Sequence, residues 1–244
     1  MRYVIGTGWW CERELGTPEG TAENGHSQIG DQIIRSRQFF ELWMYFVRRY
    51  TSPLKIIVTD SASPIPPPVI VSSCEYIRLD RNYHSVKGTN RNGWLRGFVM
   101  GAWYAWNCDA DYIYIEQDCL VVGKDWVSAL YAVSEDKYLL FGCKFRGPIQ
   151  QSLVFIPHCY IPGFLHALSL LTCHDMTCEM RFHEAIKRNS KLAYTVLPFG
   201  VGRARPIYWG SKHLYAQHWT REELVQLSVR EGIIGKIETL LSKT

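Results

Sequence analysis

Ala110-Asp111-Tyr112-Ile113-Tyr114-Ile115-Glu116-Gln117-Asp118-Cys119-Leu120-Val121-Val122 is the stretch on which the reading of this chain turns. It opens as an apolar run of β-branched and aromatic residues, the composition of a buried central strand. The run then breaks into two carboxylates, Glu116 and Asp118, one residue apart. Side chains of an extended segment alternate faces, so positions i and i+2 point the same way. Two like charges side by side at the carboxyl end of a buried strand repel each other unless something positive lies between them. Hard divalent cations such as Mg²⁺ or Mn²⁺, bound to a phosphate-bearing substrate, take oxygen ligands of this kind. A solvated acidic pair closing a strand before a loop has the same spacing, so the rest of the chain must discriminate.

A length of 244 residues suits one domain, residues 1–244, with room for a substantial core. Hydrophobic residues at 47% and charged residues at 20% fit a soluble globular protein. The net charge of +4 suits a phosphate-bearing substrate, but the basic residues are scattered and leave no nucleic-acid footprint. The 9 Trp and 14 Tyr fill a core and also offer flat rings for stacking on sugars and bases. The 8 Cys form no C-x-x-C pair, and Cys173, His174, Cys178 and His183 match no common zinc spacing. Thiols of this kind fit a cytoplasmic protein, soluble or peripheral at a membrane. Residues 2–7 run straight into a strand pattern, so neither a signal peptide nor a membrane span is expected.

Outward from the acidic stretch, strands alternate with helices. A first strand over 2–7 leads through a polar, glycine-rich stretch to Gly30. Phe39, Leu42, Trp43, Phe46, Val47 and Tyr50 follow helical spacing, with Asp31 in the N-cap region and Pro53 as the stop. Strands are predicted at 54–61, within 69–79, at 138–143, 151–156 and 192–197, and helices from the segment 87–93 up to about 106, and at 124–133, 162–172 and 179–189. Gly93, Gly97, Gly101 and Ala105 recur every four residues on the second helix. Each mid-helix glycine costs up to ~1 kcal/mol relative to alanine, and close packing against a neighbour would compensate. Residues 200–219 read as irregular; Thr220 and Glu223 then form a capping box for a final helix. This alternation predicts an α/β sandwich with a largely parallel sheet.

In this order the elements resemble the GT-A glycosyltransferases, which use nucleotide sugars. Three segments carry the resemblance, over about residues 1–200. Lys55-Ile56-Ile57-Val58-Thr59-Asp60-Ser61 is similar to the family's second strand, Asn90-Arg91-Asn92-Gly93 through Gly101 to its glycine- and arginine-bearing helix, and residues 110–122 to its A-D-Y-I-x-x-D-x-D strand. Glu116 stands where the first Asp of the DXD motif is usual. The resemblance implies a GT-A type three-layer α/β/α sandwich with a mostly parallel, mixed sheet. Its nucleotide-binding half would span about 1–122, its acceptor half about 123–200, and a C-terminal tail and helix about 201–244.

It also implies roles. Asp118 would hold Mn²⁺ or Mg²⁺ on the donor diphosphate, with Glu116 supporting it or contacting the ribose, and Gln117 beside them. Asp60 would read the base, although a strand-end aspartate is equally a turn cap. Arg96 lies where the family places a basic residue near the donor, although an exposed arginine on an amphipathic helix looks the same. Thr7, Gly8 and Trp9 end the first strand, where an open α/β sheet binds ligands. A tail histidine completes the metal site in many members; His218 is preferred to His213 here. The segment Thr177-Cys178-Glu179-Met180-Arg181-Phe182-His183-Glu184 resembles the one that carries the catalytic base of inverting members, with Glu179 as that base and Asp175 and Glu184 as competitors.

The expected activity is metal-dependent transfer of a sugar from a UDP- or GDP-linked donor to a glycan or glycolipid hydroxyl, inverting rather than retaining. The acceptor would lie over residues 143–151 and the loop before Glu179. A sugar-1-phosphate nucleotidyltransferase shares the fold, but Gly6-Thr7-Gly8-Trp9-Trp10 lacks the Arg and Lys its nucleotide loop requires. A non-catalytic sugar- or nucleotide-binding module and a metal-dependent phosphohydrolase are the remaining alternatives.

Overall fold

A computed structural model of the chain describes every residue other than 14–29, 69–73, 84–91, 136, 143–148, 172–175, 201 and 243–244. The polar stretch before Gly30, Asn90 and Arg91, most of the expected acceptor segment, Cys173, His174 and Asp175 thus lie outside the described residues. The elements run β1 (Tyr3–Trp9), α1 (Arg37–Tyr50), β2 (Lys55–Asp60), β3 (Cys74–Arg78), α2 (Asn92–Asn107), β4 (Asp111–Ile115), β5 (Cys119–Val122) and α3 (Trp126–Ser134). They continue with β6 (Leu139–Gly142), β7 (Gln150–Ile156), α4 (Ile161–Ser169), α5 (Cys178–Lys187), β8 (Tyr194–Val196), β9 (Leu214–Gln217), α6 (Arg221–Glu231) and α7 (Ile234–Leu241).

Seven strands form one sheet in the order β3-β2-β1-β4-β7-β6-β8, and β5 pairs with β9 in a small second sheet. Within the large sheet β7 alone runs against its neighbours β4 and β6; the other pairings are parallel. Alternation along the strands sorts the core onto two faces. Ile5, Ile56, Val58, Ile113, Ile115, Leu153 and Phe155 pack with α1, α6 and α7. Val4, Ile57, Tyr112, Tyr114, Val154 and Ile156 face Phe98, Phe164 and Phe182 of α2, α4 and α5. The result is the three-layer α/β/α sandwich with a mixed, mostly parallel sheet that the sequence predicts.

The glycines of α2 are explained by close approach to the sheet. A Cβ on Gly97 would sit 3.4 Å from Thr59 Cβ and 3.8 Å from Gly8 Cα, and one on Gly101 would collide with the Tyr112 ring. Gly6 faces the same ring from β1. Small residues let the helix seat on β1 and β2 at the ends that carry ligands in such sheets.

Three readings of local structure are corrected. Asp31 caps a short 3-10 turn, Gln32–Arg35, while Ser36 caps α1 by accepting from Phe39 N at 3.1 Å. The tail is not irregular throughout, because β9 pairs antiparallel with β5 over Leu214–Gln217. The final helix is two: α6 has the expected capping box at Thr220 and Glu223 and ends at Gly232, whose φ of 66° is the left-handed conformation glycine adopts at little cost. No helix among the described residues is long and apolar enough to cross a membrane.

Candidate active site

The apolar run of β4 pairs on one side with parallel β1 and on the other with antiparallel β7. Beyond Ile115 the chain can no longer continue in the large sheet. Glu116 N still bonds Ser152 O at 2.9 Å, and Cys119 N closes a tight turn onto Glu116 O at 3.0 Å. The chain then leaves as β5 for the small sheet. Glu116 and Asp118 therefore occupy a turn between two sheets at the carboxyl end of β4. Both are buried, at 9% and 3% exposure.

What holds two buried carboxylates together comes mostly from the far end of the chain. Gln217 lies opposite Cys119 in the β5–β9 register. Its Nε2 donates to Glu116 Oε2 and, at 2.9 Å, to Asp118 Oδ1. Its Oε1 accepts from Arg203 Nε at 2.9 Å and from Gln150 Nε2 at 3.2 Å. Gln151 Nε2 donates to Glu116 Oε1 at 3.3 Å, and Arg35 lies 3.8 Å from Asp118. The same Arg203 stands 4.0 Å from Glu179 Oε1. Glu179 sits in the first turn of α5, where Thr177 caps the helix, and is itself buried. The Gln217 carboxamide thus holds Glu116 and Asp118 and, through Arg203, links them to Glu179.

The electrostatics follow from this crowding. Burial, then the Asp118 charge, pushes Glu116 up to about 7; Arg203 and the Gln151 hydrogen bond pull the other way, and Glu179 adds to the rise. His218, next along from Gln217, is lowered to about 4. Burial is the main cause, Asp118 opposes it, and Arg203, Arg35 and Arg205 reinforce it. His218 is therefore neutral near pH 7. Its φ of 60° is fixed by neighbours: Arg205 donates to the Gln217 and His218 carbonyls at 2.7 and 3.1 Å. Gly30 packs so closely on the His218 backbone that a Cβ there would meet its carbonyl carbon at 2.7 Å.

Of the residues singled out from sequence, Glu116, Asp118, Glu179 and His218 come together here. Gln117 is beside them with its amide engaged: it accepts from Trp10 N at 2.6 Å and donates to Trp10 O at 2.8 Å, lashing the end of β1 to the acidic turn. Thr7 is buried and Gly8 half-buried at the carboxyl end of β1. The Trp9 ring is buried against Phe40, with Nε1 donating to Ile65 O at 2.8 Å, so it is engaged by the core. Asp60 is fully buried and caps a turn, accepting from Ser63 N at 2.8 Å and Tyr76 Oη at 2.6 Å. Arg96 is exposed on α2 and stacks over the Tyr83 ring, 3.8 Å from its centroid. His213 bonds Lys124 O at 2.9 Å, on the turn before α3. Among the described residues no three His, Cys, Asp or Glu side chains converge closely enough to enclose a metal ion.

Sequence reasoning missed Gln217, Arg203, Gln151 and Arg35. Gln150 and Gln151 did leave a signal: two amides and Ser152 open a strand that ends in four apolar residues and whose start abuts the carboxyl end of β4. Among the described residues, buried Thr59 Oγ1, Ser61 Oγ and Gln151 Oε1 have no hydrogen-bond partner, which is unusual for native interiors and common where a ligand supplies the partner.

No protein-family model matches this chain, and neither does any curated protein sequence. Among solved structures, a glycosyltransferase, GlyE of Streptococcus pneumoniae, is similar over 81% of this chain and 46% of its own, at 13% identity and a TM-score of 0.46. Its apo form matches over 80% and 45%, at 11% identity and a TM-score of 0.41. A putative glucose-1-phosphate thymidylyltransferase from Bacillus anthracis, in complex with a sucrose, matches over 80% and 86%, at 8% identity and 0.38. The chain spans about half the length of GlyE (46%). At such identities the likeness lies in chain path alone, and what this chain does is read from its own side chains.

Proposed function

We propose that this chain transfers a sugar from a nucleotide-diphosphate sugar, UDP- or GDP-linked, to a hydroxyl of a glycan or glycolipid, with Mn²⁺ or Mg²⁺ as cofactor and inversion at the anomeric carbon. The observation that carries the reading is the convergence of Glu116, Asp118 and Glu179 around Arg203 and Gln217 at the carboxyl end of β4. Glu116 and Asp118 offer only oxygen, the donor type hard cations prefer. Mg²⁺ in particular is held by one or two carboxylates plus substrate phosphates and water, so no enclosing set of three protein ligands is required. Neutral His218, which feels the Asp118 charge, would support the same ion. The ion supplies positive charge against the departing diphosphate.

The remaining work falls to the side chains. Glu179 takes the proton of the acceptor hydroxyl as that oxygen attacks, so it must face the substrate; Arg203 lies 4.0 Å from its carboxylate. Gln117 sets the height of the acidic turn against β1. The partnerless hydroxyls of Thr59 and Ser61, at the end of β2, are suited to the nucleoside, and Arg96 and Tyr83 flank that side. A cytoplasmic location, soluble or peripheral at a membrane, belongs to the same reading.

Thermal unfolding with Mn²⁺ and UDP, GDP, CDP or TDP tests it. A ligand at 100 times its Kd stabilises by about 2.7 kcal/mol, which raises the midpoint by about 5–10 °C for a chain of this size. A metal-dependent rise with one diphosphate names the donor class; no rise with any refutes the reading. Asp118→Asn should nearly abolish transfer without unfolding the protein, and unchanged turnover would remove the metal reading.

A further inference from the structure

The carboxamide of Gln217 occupies the point where a cation shared by Glu116 and Asp118 would have to sit. Its orientation is dictated by its neighbours: a guanidinium only donates and ionised carboxylates only accept, so Nε2 faces the acids and Oε1 faces Arg203. Gln217 is 2% exposed and its backbone is pinned, with N donating to Gly202 O at 3.0 Å and O accepting from Arg205. Only the side chain is left to move.

We propose that Gln217 is a resident plug that stands in for the divalent cation, and that Arg203 is the latch that keeps it seated. The inference rests on the metal-dependent reading above. Without an ion, the two N–H bonds from Nε2 compensate the repulsion between Glu116 and Asp118. An arriving ion needs the same lone pairs, so the amide must leave them. A receiver is at hand in Gln151, which meets Gln217 on Glu116 and whose buried Oε1 is without a partner among the described residues. Rotation of the amide also gives up the Arg203 Nε bond, which frees that guanidinium for Glu179 or for substrate. Ion binding at one pair of carboxylates is thereby linked to the cation beside the third.

The test is direct Mn²⁺ binding to the full chain at pH 7.5, by calorimetry and by the electron paramagnetic resonance signal of free Mn²⁺, with no substrate present. Gln217→Met keeps the length of the side chain and removes both amide groups; it should bind Mn²⁺ about tenfold more tightly than the wild type. Should Gln217→Met fail to fold, Arg203→Lys decides: it keeps the charge but loses the Nε bond to Gln217, and should also bind more tightly. Equal affinity would make Gln217 a bystander, and weaker affinity would make it a ligand; either overturns the plug. Absence of Mn²⁺ binding in the wild type and in the variants alike overturns the plug together with the metal reading, whereas wild-type binding unaltered in the variants overturns the plug alone.

Discussion

Replacing Glu116 by Gln should make the protein more stable at alkaline pH, although it removes a site residue. The folded state holds this carboxyl at about 7 instead of its ordinary 4.5, chiefly through burial and then through the Asp118 charge. A raised carboxyl pKa means that the folded state binds more protons than the unfolded state between the two values. Its contribution is fully present below about 4.5 and is lost as the pH rises through about 7. At 1.36 kcal/mol for each unit, the shift amounts to about 3 kcal/mol at most. Glutamine has no proton to lose, so the stability gap between Glu116→Gln and wild type should widen in favour of the variant by up to about 3 kcal/mol between pH 4.5 and pH 8, or about 6–12 °C in midpoint. His218 acts in the opposite sense: lowered to about 4, it binds fewer protons folded than unfolded, and its contribution is lost as the pH falls through that value. In the wild type the two slopes oppose each other between about pH 4.5 and 6.5; in the variant only the histidine's remains, and stability should climb across that window. Thermal and urea melts of both proteins in chelator at pH 4.5, 6 and 8 supply the comparison. A gap that stays constant from pH 4.5 to 8 would show that Glu116 does not titrate as its surroundings dictate.

Tyr112→Phe should be neutral or stabilising by about 1 kcal/mol, since the buried Tyr112 hydroxyl has no partner among the described residues and its desolvation is uncompensated; urea midpoints would report a loss if the hydroxyl were bonded. Gly6→Ala drives a methyl group into the same ring and should cost about 1–3 kcal/mol by overpacking, with much of that recovered in the Gly6→Ala, Tyr112→Phe double variant. Gln117→Ala removes both hydrogen bonds to Trp10 and should cost about 1–3 kcal/mol while reducing donor turnover more than donor affinity; unaltered melting would mean that the lashing contributes nothing.

Much of the architecture was legible because burial imposes period. The apolar run before Glu116 and the helical spacing of Phe39, Trp43, Phe46 and Val47 both describe faces that the core requires. Alternation along β1 even determines the fate of Trp9, which shares its parity with Ile5 and so turns to the α1 face and into the core. Asp60 shows the opposite case: a strand-end aspartate has one local signature whether it caps a turn or meets a base, and its bond from Tyr76 across the sheet could not be read from sequence. β9 was invisible because four residues, buried throughout by β5, show neither alternation nor a turn signal. Gln217 went with it. A neutral amide carries no charge pattern, and its significance comes wholly from the residues across the ladder. Arg203 lies in a segment without regular structure, where no periodicity marks which of the neighbouring arginines turns inward.

The pairing of β5 with β9 also sets the order in which the site can be assembled during synthesis. Asp118 and the amide that holds it are separated by 99 residues. At typical rates of about 5–20 residues per second, the acidic turn is synthesised roughly 5–20 s before Gln217 exists. Through that interval β1, β2, β3 and β4 can already pair, but Glu116 and Asp118 have no N–H from β9 between them. The nascent chain therefore passes through a stage with a formed sheet edge and an uncompensated pair of carboxylates open to water. The site closes only when one of the last strands to be synthesised arrives, which makes it a late product of folding even though its acids belong to the middle of the chain.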